Sequence, residues 1–434
     1  MHHLSPLLKQ ASQVCVDHGE GSWLVDTDGR RYLDFTSGIG VTSTGHCHPT
    51  VVAAAQAQVG RVIHAQYTTV AHRPMLELTD ALAERMPEGI DSVAFSNSGS
   101  ESVEAALRLA RQATGRANII VFDGGFHGRT MAAASLTTSG TKVRTGFHPM
   151  MAGVEVSPFP HAYRYGWTEE EATAFALREL DHILKTRTAP SDTAAMLIEP
   201  VQGEFGYYPA NKAFMQGLAE RCRQHGILLI CDEIQAGYGR TGRFWSHSHF
   251  DVTPDIVITA KGLASGFPLS AIAASEALMS KGLAGSQGGT YGANAVACAA
   301  ALATLPAPWL WNRLGVRMGD DIALRLSYLT QLLGVLAALL LPGAVGILLC
   351  AVLVGGTFLG TVLLTQRLAR TLHPHQGPRL SAALIALYGL TQLAAPWLTS
   401  IWMGMGGSLH SAFWLGAGAL LWGLLWMLMV PRRH

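Results

Sequence analysis

Asn211–Glu233 reads NKAFMQGLAERCRQHGILLICDE. Its first part, Asn211 to His225, has the mixed apolar and charged spacing of an amphipathic helix. Its second, Ile227 to Cys231, is a short unbroken apolar run, the pattern of a strand buried on both faces, and it ends on Asp232-Glu233. The same alternation extends outward. Strands are expected at Ser92–Phe95, Ala117–Phe122, Ala194–Val201 and Asp255–Ala260, and a helix at Ser102–Arg111. Strands alternating with helices point to an α/β fold, a mostly parallel sheet covered by helices on both faces. Nearer the start, Gln13–Val16, Ser22–Asp26 and Arg31–Phe35 are separated by turn residues and predict a small antiparallel sheet.

In open α/β sheets ligands sit at the carboxyl ends of the strands. Three expected strands end on chemistry-bearing residues: Ile198-Glu199, Cys231-Asp232-Glu233 and Ala260-Lys261-Gly262. Singly, such residues are turn, cap or solvated positions; in βαβ succession they suggest a site. Ser98-Gly99-Ser100-Glu101 lies between a strand and a helix and has capping-box spacing. It is either an ordinary helix cap or a cap whose bare amides take a phosphate. Phe126 is flanked by Gly125 and His127-Gly128, which suits a ring laid against a planar ligand. His46-Cys47-His48 lacks a third ligand pattern, so no metal is expected. The six cysteines show no C-x-x-C spacing and read as free thiols. Met1–Gln13 has no long apolar core behind a basic end, so no secretory signal is expected there.

Charge divides the chain. The net charge of +1 gives no electrostatic reason to expect nucleic acid, and 49% hydrophobic residues exclude a mostly disordered chain. Only 14% of residues are charged, against ~25% in a typical domain. The deficit is confined to residues 306–434, which hold eight arginines, two aspartates and no lysine. No charge occurs between Arg325 and Arg367 or between Arg379 and Arg432. Both intervals far exceed the ~20 apolar residues of a bilayer span. Pro342-Gly343 and the Gly404–His410 segment break them, so four transmembrane helices are expected, at 326–341, 344–365, 381–403 and 411–430. Arginines flank the first span (Arg313, Arg317, Arg325), join the second to the third (Arg367, Arg370, Arg379) and follow the fourth (Arg432, Arg433). The positive-inside rule puts both ends of this tail in the cytoplasm.

Two resemblances follow. The Trp311–Gly315 lead-in, the glycine-rich Gly355–Gly360 and the Gln366–Arg370 loop resemble the last four helices of a major facilitator superfamily transporter. Residues 10–305 resemble the class III aminotransferases. The motifs are Ser98-Gly99-Ser100-Glu101, Gly125–Thr130 (GFHGRT), Ile198–Glu204 (IEPVQGE), Asp232-Glu233-Ile234-Gln235 with Gly239–Gly242 (GRTG), Lys261-Gly262 and Gly289–Gly292 (GTYG). Within the class the likeness is greatest to 4-aminobutyrate aminotransferase, with acetylornithine and ornithine aminotransferases close behind. The resemblance implies a fold-type I pyridoxal phosphate (PLP) enzyme. Residues 1–45 would begin its small domain, 46–305 would form its PLP-binding large domain, and 306–434 would be the membrane tail. It implies that Lys261 holds the cofactor covalently and moves the proton, and that Asp232 pairs with the pyridine nitrogen. Gly99, Ser100, Phe126, His127 and Gln235 would complete the cofactor site. Thr290 would reach the phosphate of a neighbouring subunit, making a homodimer. Ile39, Arg129, Glu199 and Glu204 would meet the amino-acid and 2-oxo-acid substrates.

The chain also departs from the family. The likeness fades near Leu302, where the family continues into most of its small domain. That stretch carries the arginine that binds the α-carboxylate of 2-oxoglutarate and otherwise pairs with the residue matched by Glu204. Ala293 and Ala295 stand where relatives have Gly and Pro. A working transaminase is therefore set against two alternatives: a transporter-derived membrane fusion with a relic enzyme half, and a junction of two reading frames near residue 305.

Overall fold

The computed structural model describes residues 3–305, the helix Asp320–Leu340 and scattered further positions up to 424. Seven strands form the main sheet, in the order β4-β12-β11-β10-β7-β5-β6. They are β4 (Ser92–Ser96), β5 (Asn118–Phe122), β6 (Val154–Ser157), β7 (Thr193–Ile198), β10 (Leu228–Asp232), β11 (Ile256–Thr259) and β12 (Ser270–Ala274). The run β11-β10-β7-β5-β6 is parallel, and β12 is antiparallel to both β11 and β4.

Period-two alternation sends successive side chains to opposite faces, and both faces are buried. Ile119, Val121, Ala195, Leu197 and Ile230 pack with Val103, Leu107 and Leu109 of the helix Gly99–Thr114. Ile120, Phe122, Met196, Ile198 and Cys231 face the other way, onto Leu180 of Glu169–Thr186 and Phe214 and Leu218 of Lys212–His225. Phe214 is fully buried; trimming such a ring to alanine costs about 3–5 kcal/mol. Lys212–His225 starts at Asn211, whose side chain accepts from the Phe214 amide at 2.8 Å, and stops at Gly226 in the left-handed region.

The sequence reading differs from the structure at four places. The first strand of the N-terminal sheet is Val16–Glu20, not Gln13–Val16. It pairs with β2 (Trp23–Asp26) across the two-residue loop Gly21-Ser22, and Gly21, at φ +56°, makes that turn. The third strand, β3 (Arg31–Leu33), falls where expected. The expected strand Ala194–Val201 is two: β7 stops before Glu199-Pro200, and β8 (Val201–Gln202) pairs with β9 (Tyr208–Pro209). The helix expected at Ser102–Arg111 runs from Gly99 to Thr114. Finally, β6 and β12 are not foreseen; Ser270–Ala274, SAIAA, has only Ile272 of the β-branched and aromatic residues that mark strands.

Beyond residue 305, the first expected span corresponds to the helix Asp320–Leu340. Among the described residues, Asp321–Leu340 is the one helix long and apolar enough to cross a membrane. Ala323 and Leu324 pack with Leu364, and Leu332, Val335 and Leu339 with Ala417. Two of its polar groups bond across to Thr361: Gln331 Nε2 donates to Thr361 Oγ1 at 2.9 Å, and Thr361 Oγ1 to Ser327 Oγ at 3.0 Å. The expected span 381–403 lies outside the described residues.

Candidate active site

Glu199, Asp232 and Lys261 follow or end β7, β10 and β11, three neighbours in the sheet. Their side chains meet at one end of it, lining a cavity of about 700 Å³. Eleven of the twelve residues singled out above line this cavity: Ile39, Gly99, Ser100, Phe126, His127, Arg129, Glu199, Glu204, Asp232, Gln235 and Lys261. The twelfth, Thr290, is exposed outside it, its carbonyl accepting from His64 Nε2 at 2.6 Å.

Asp232 is 2% exposed. One carboxylate oxygen accepts from the Ile234 amide at 3.0 Å, and the other lies 2.8 Å from His127 Nδ1. His127 is itself buried, and its amide donates to Thr137 Oγ1 at 3.0 Å. This histidine, itself at the cavity lining, therefore orients the aspartate. The neighbouring Glu233 points away from the cavity. It is fully buried and bonded by Ser246 N and Oγ and by His247 N and Nδ1, at 2.8–2.9 Å. Burial pushes its pKa up, but those donors outweigh it and hold the carboxyl below its usual range.

Glu199 accepts from the Phe126 amide at 2.7 Å and the Gly203 amide at 3.0 Å. Burial, with Asp232 nearby, pushes its pKa up to about 7 against those amides and His127. Lys261 stands at φ +40° and donates to Gln235 Oε1. Burial lowers its pKa, as does the charge of Arg240, while Asp232, Glu199 and Glu204 pull the other way. A lowered pKa makes the free amine more accessible, which suits a group that accepts and returns a proton.

Opposite the lysine, Ser98 caps the helix Gly99–Thr114. Its Oγ accepts from Glu101 N at 3.4 Å, and Glu101 Oε2 accepts from Ser98 N at 2.7 Å. The capping box is real, so the cap reading holds. It leaves the next amides bare, because the first amides of a helix have no intrahelical acceptor. Space is tight at Gly99: a Cβ there would meet Ile234 Cδ1 at 2.9 Å, so that side chain would have to shift. At Gly128, φ +135°, a Cβ would run into Ser100 Oγ.

The family model described as "Aminotransferase class-III" matches residues 7–308. The chain belongs to the class III aminotransferases. A second model, "Uncharacterised MFS-type transporter YbfB", matches residues 273–428 and overlaps the first. The 5-aminovalerate aminotransferase DavT of Pseudomonas aeruginosa is 41% identical over 297 residues, 68% of each chain. The 4-aminobutyrate aminotransferase GabT of Escherichia coli is 40% identical over 304 residues, again 68% of each. The acetylornithine aminotransferase of Archaeoglobus fulgidus is 39% identical over 296 residues, 68% of this chain and 72% of that one. Among solved structures, an (S)-enantioselective omega-transaminase from Thermomicrobium roseum superposes with a TM-score of 0.68 at 32% identity. It covers 76% of this chain and 77% of that one.

Class III aminotransferases are PLP enzymes, and the residues of this cavity fit that cofactor. Bare amides at a helix N-terminus suit its phosphate, the buried Asp232 suits a protonated ring nitrogen, and Lys261 suits its carbonyl end. Among the described residues no group of three His, Cys, Asp or Glu could hold a metal ion, and His46 instead pairs with Asp34 at 2.7 Å. Two residues, one lining the cavity and one beside it, are given no role by the sequence reading. Tyr207 lines the cavity and its Oη accepts from Gln235 Nε2 at 3.3 Å. Arg240 stands within the GRTG motif, yet nothing in the motif shows which way the guanidinium turns.

Proposed function

We propose that residues 1–305 carry an ω-amino-acid transaminase site, moving an amino group from a donor such as 4-aminobutyrate to 2-oxoglutarate. The observation that carries this reading is the convergence of Glu199, Asp232 and Lys261 from three strand ends, facing a capped helix N-terminus, on one cavity. PLP, when bound, supplies an electron sink for the carbon that loses its proton. In this reading the Gly99 and Ser100 amides hold the phosphate, and Phe126 covers one ring face. Asp232, oriented by His127, keeps a proton on the ring nitrogen, and Gln235 contacts the ring hydroxyl. Lys261 binds the cofactor and then carries the substrate's proton. Arg129 lines the cavity without an ion pair among the described residues, and its charge suits the donor's distal carboxylate. Ile39 and Glu204 border that side, and Glu199 forms the floor beside Phe126. Thr290 lies outside this chain's cavity, which supports a homodimer in which it serves the partner's site.

An acetylornithine-type donor is the second reading, since the relatives include both activities. The test is the donor half-reaction of the purified full chain with PLP, offering 4-aminobutyrate, 5-aminovalerate and N-acetylornithine in turn. Loss of the lysine-linked cofactor absorbance is expected with the first two; a response to N-acetylornithine alone would replace the donor assignment.

For the tail we propose a multi-pass membrane segment over 306–434 with both ends, and the catalytic part, in the cytoplasm. The apolar helix Asp320–Leu340, the arginine placement and the transporter-type match support it.

A further inference from the structure

We propose that Arg240 is a positioning residue of this site: it clamps the carbonyl of Gly40, so fixing Ile39 at the cavity, and sets its charge beside Lys261. The proposal rests on the transaminase reading for what the cavity holds, but not for the clamp itself.

Ser37, Gly38, Ile39 and Gly40 have φ of +49°, +60°, +67° and +74°. Glycine adopts such angles freely, but a β-branched residue there is an outlier. A conformation of that kind persists only where its surroundings hold it. Here Asp34 Oδ1 accepts from the Thr36 and Ser37 amides at 2.8 and 2.9 Å, and Ser37 Oγ lies 2.7 Å from Thr42 Oγ1. From a loop two hundred residues away, Arg240 Nη2 donates to Gly40 O at 2.6 Å. The segment is then stitched to the loop that carries Lys261. Ser43 Oγ donates to Gly262 O at 3.0 Å, and Thr44 Oγ1 lies 2.5 Å from Ser265 Oγ.

Arg240 makes no ion pair among the described residues, and burial holds its pKa below the usual arginine range. Arg240 is exposed over part of its side chain, and its guanidinium turns inward to a backbone carbonyl rather than to a carboxylate. Gly40 sits between Arg240 and Gln235, the residue that accepts from Lys261: a Cβ on Gly40 would meet Gln235 Nε2 at 3.1 Å and Arg240 Nη2 at 3.5 Å. The charged groups acting on the Lys261 amine are Asp232, Glu199 and Glu204, which favour the ammonium, and Arg240, which favours the free amine.

The test uses the full chain in detergent and two readouts. The first is the pH at which Lys261, in cofactor-free protein, reacts with an amine-selective reagent, followed by mass. In Arg240→Met this profile is expected to move to higher pH, while Arg240→Lys stays near wild type. The second is saturation of the donor half-reaction by 4-aminobutyrate. Arg240→Met is expected to weaken it ~3- to 30-fold with the wild-type Ile39 and far less in an Ile39→Gly background, because coupled residues are non-additive. If Arg240→Met does not fold, Arg240→Gln takes its place in both readouts. An unmoved lysine profile, or equal effects in both Ile39 backgrounds, overturns the proposal. A wild-type chain that takes up no cofactor would instead overturn the transaminase reading and leave the lysine profile to decide on the clamp's charge.

Discussion

Residues 1–305 and the apolar helix that follows solve the burial of polar groups in opposite ways. In the enzyme part, charges go inside and are answered one by one: Asp232 by His127, and Glu233 by Ser246 and His247. In Asp320–Leu340 the buried polar groups are hydroxyls and an amide. Ser327 returns its bond to the Leu324 carbonyl, and Thr361 and Gln331 bond across helices. The first solution builds specific chemistry at one point. The second removes nearly all charge and keeps only bonds that a low-dielectric surrounding makes worthwhile. The change in charge content comes within a few residues of 305.

Three experiments sharpen or break that contrast. The largest effect concerns the tail. The full chain should resist carbonate extraction from membranes, because insertion of apolar spans is effectively irreversible. A chain ended after Thr304 should lose membrane attachment entirely. Full-length protein that purifies as a soluble dimer without detergent would erase the distinction between the regions.

The next effect concerns the site. Lys261→Ala should abolish the lysine-linked absorbance and lower amino transfer by ~10²- to 10⁴-fold or more, leaving membrane partition unchanged. Retention of the absorbance would mean that another amine holds the cofactor.

The smallest effect concerns Glu199. Its folded pKa, pushed up by burial, lies above the unfolded value. The folded chain therefore binds an extra proton between the two, and stability is greatest below the unfolded value and is lost as pH rises through about 7. Glu199→Gln removes this titration, so melting temperature should fall less steeply between pH 5 and 8 than in wild type. Parallel profiles would show that the amides of Phe126 and Gly203 keep Glu199 ionised throughout.

The strand-end rule made Glu199, Asp232 and Lys261 legible from sequence, because parallel strands present their carboxyl ends on one edge. The capping box at Ser98 and Glu101 was legible for the same local reason. What escaped was non-local or compositionally weak. Nothing in SAIAA announces the strand β12, which is defined by its two neighbours. The left-handed run at Ser37–Gly40 depends on Arg240, far along the chain, and no spacing reveals such a contact. His127 lines the cavity as expected of a site residue, but its bond to Asp232 joins positions over a hundred residues apart and could not be read from spacing. In the tail, composition exposed the apolar stretches, but a uniform apolar helix says little about which of its faces meets a neighbour.

On the proposed reading, the site would be complete toward the donor and incomplete toward the acceptor. Arg129 lines the cavity, whereas the family's second arginine comes from a stretch whose place is taken here by residues with transporter-type similarity. Losing a shielded arginine–carboxylate contact costs ~2–5 kcal/mol, on the order of 30- to 5,000-fold in affinity. In the proposed membrane topology the tail arginines would sit at the bilayer surface and would not replace it. The deciding measurement follows the two half-reactions separately in the full chain by rapid-mixing absorbance. The account predicts that 4-aminobutyrate converts the cofactor to its aminated form with ordinary saturation. Return by 2-oxoglutarate should need concentrations at least ~30-fold higher than in an intact relative assayed alongside. Equal, ordinary saturation in both directions would contradict the account.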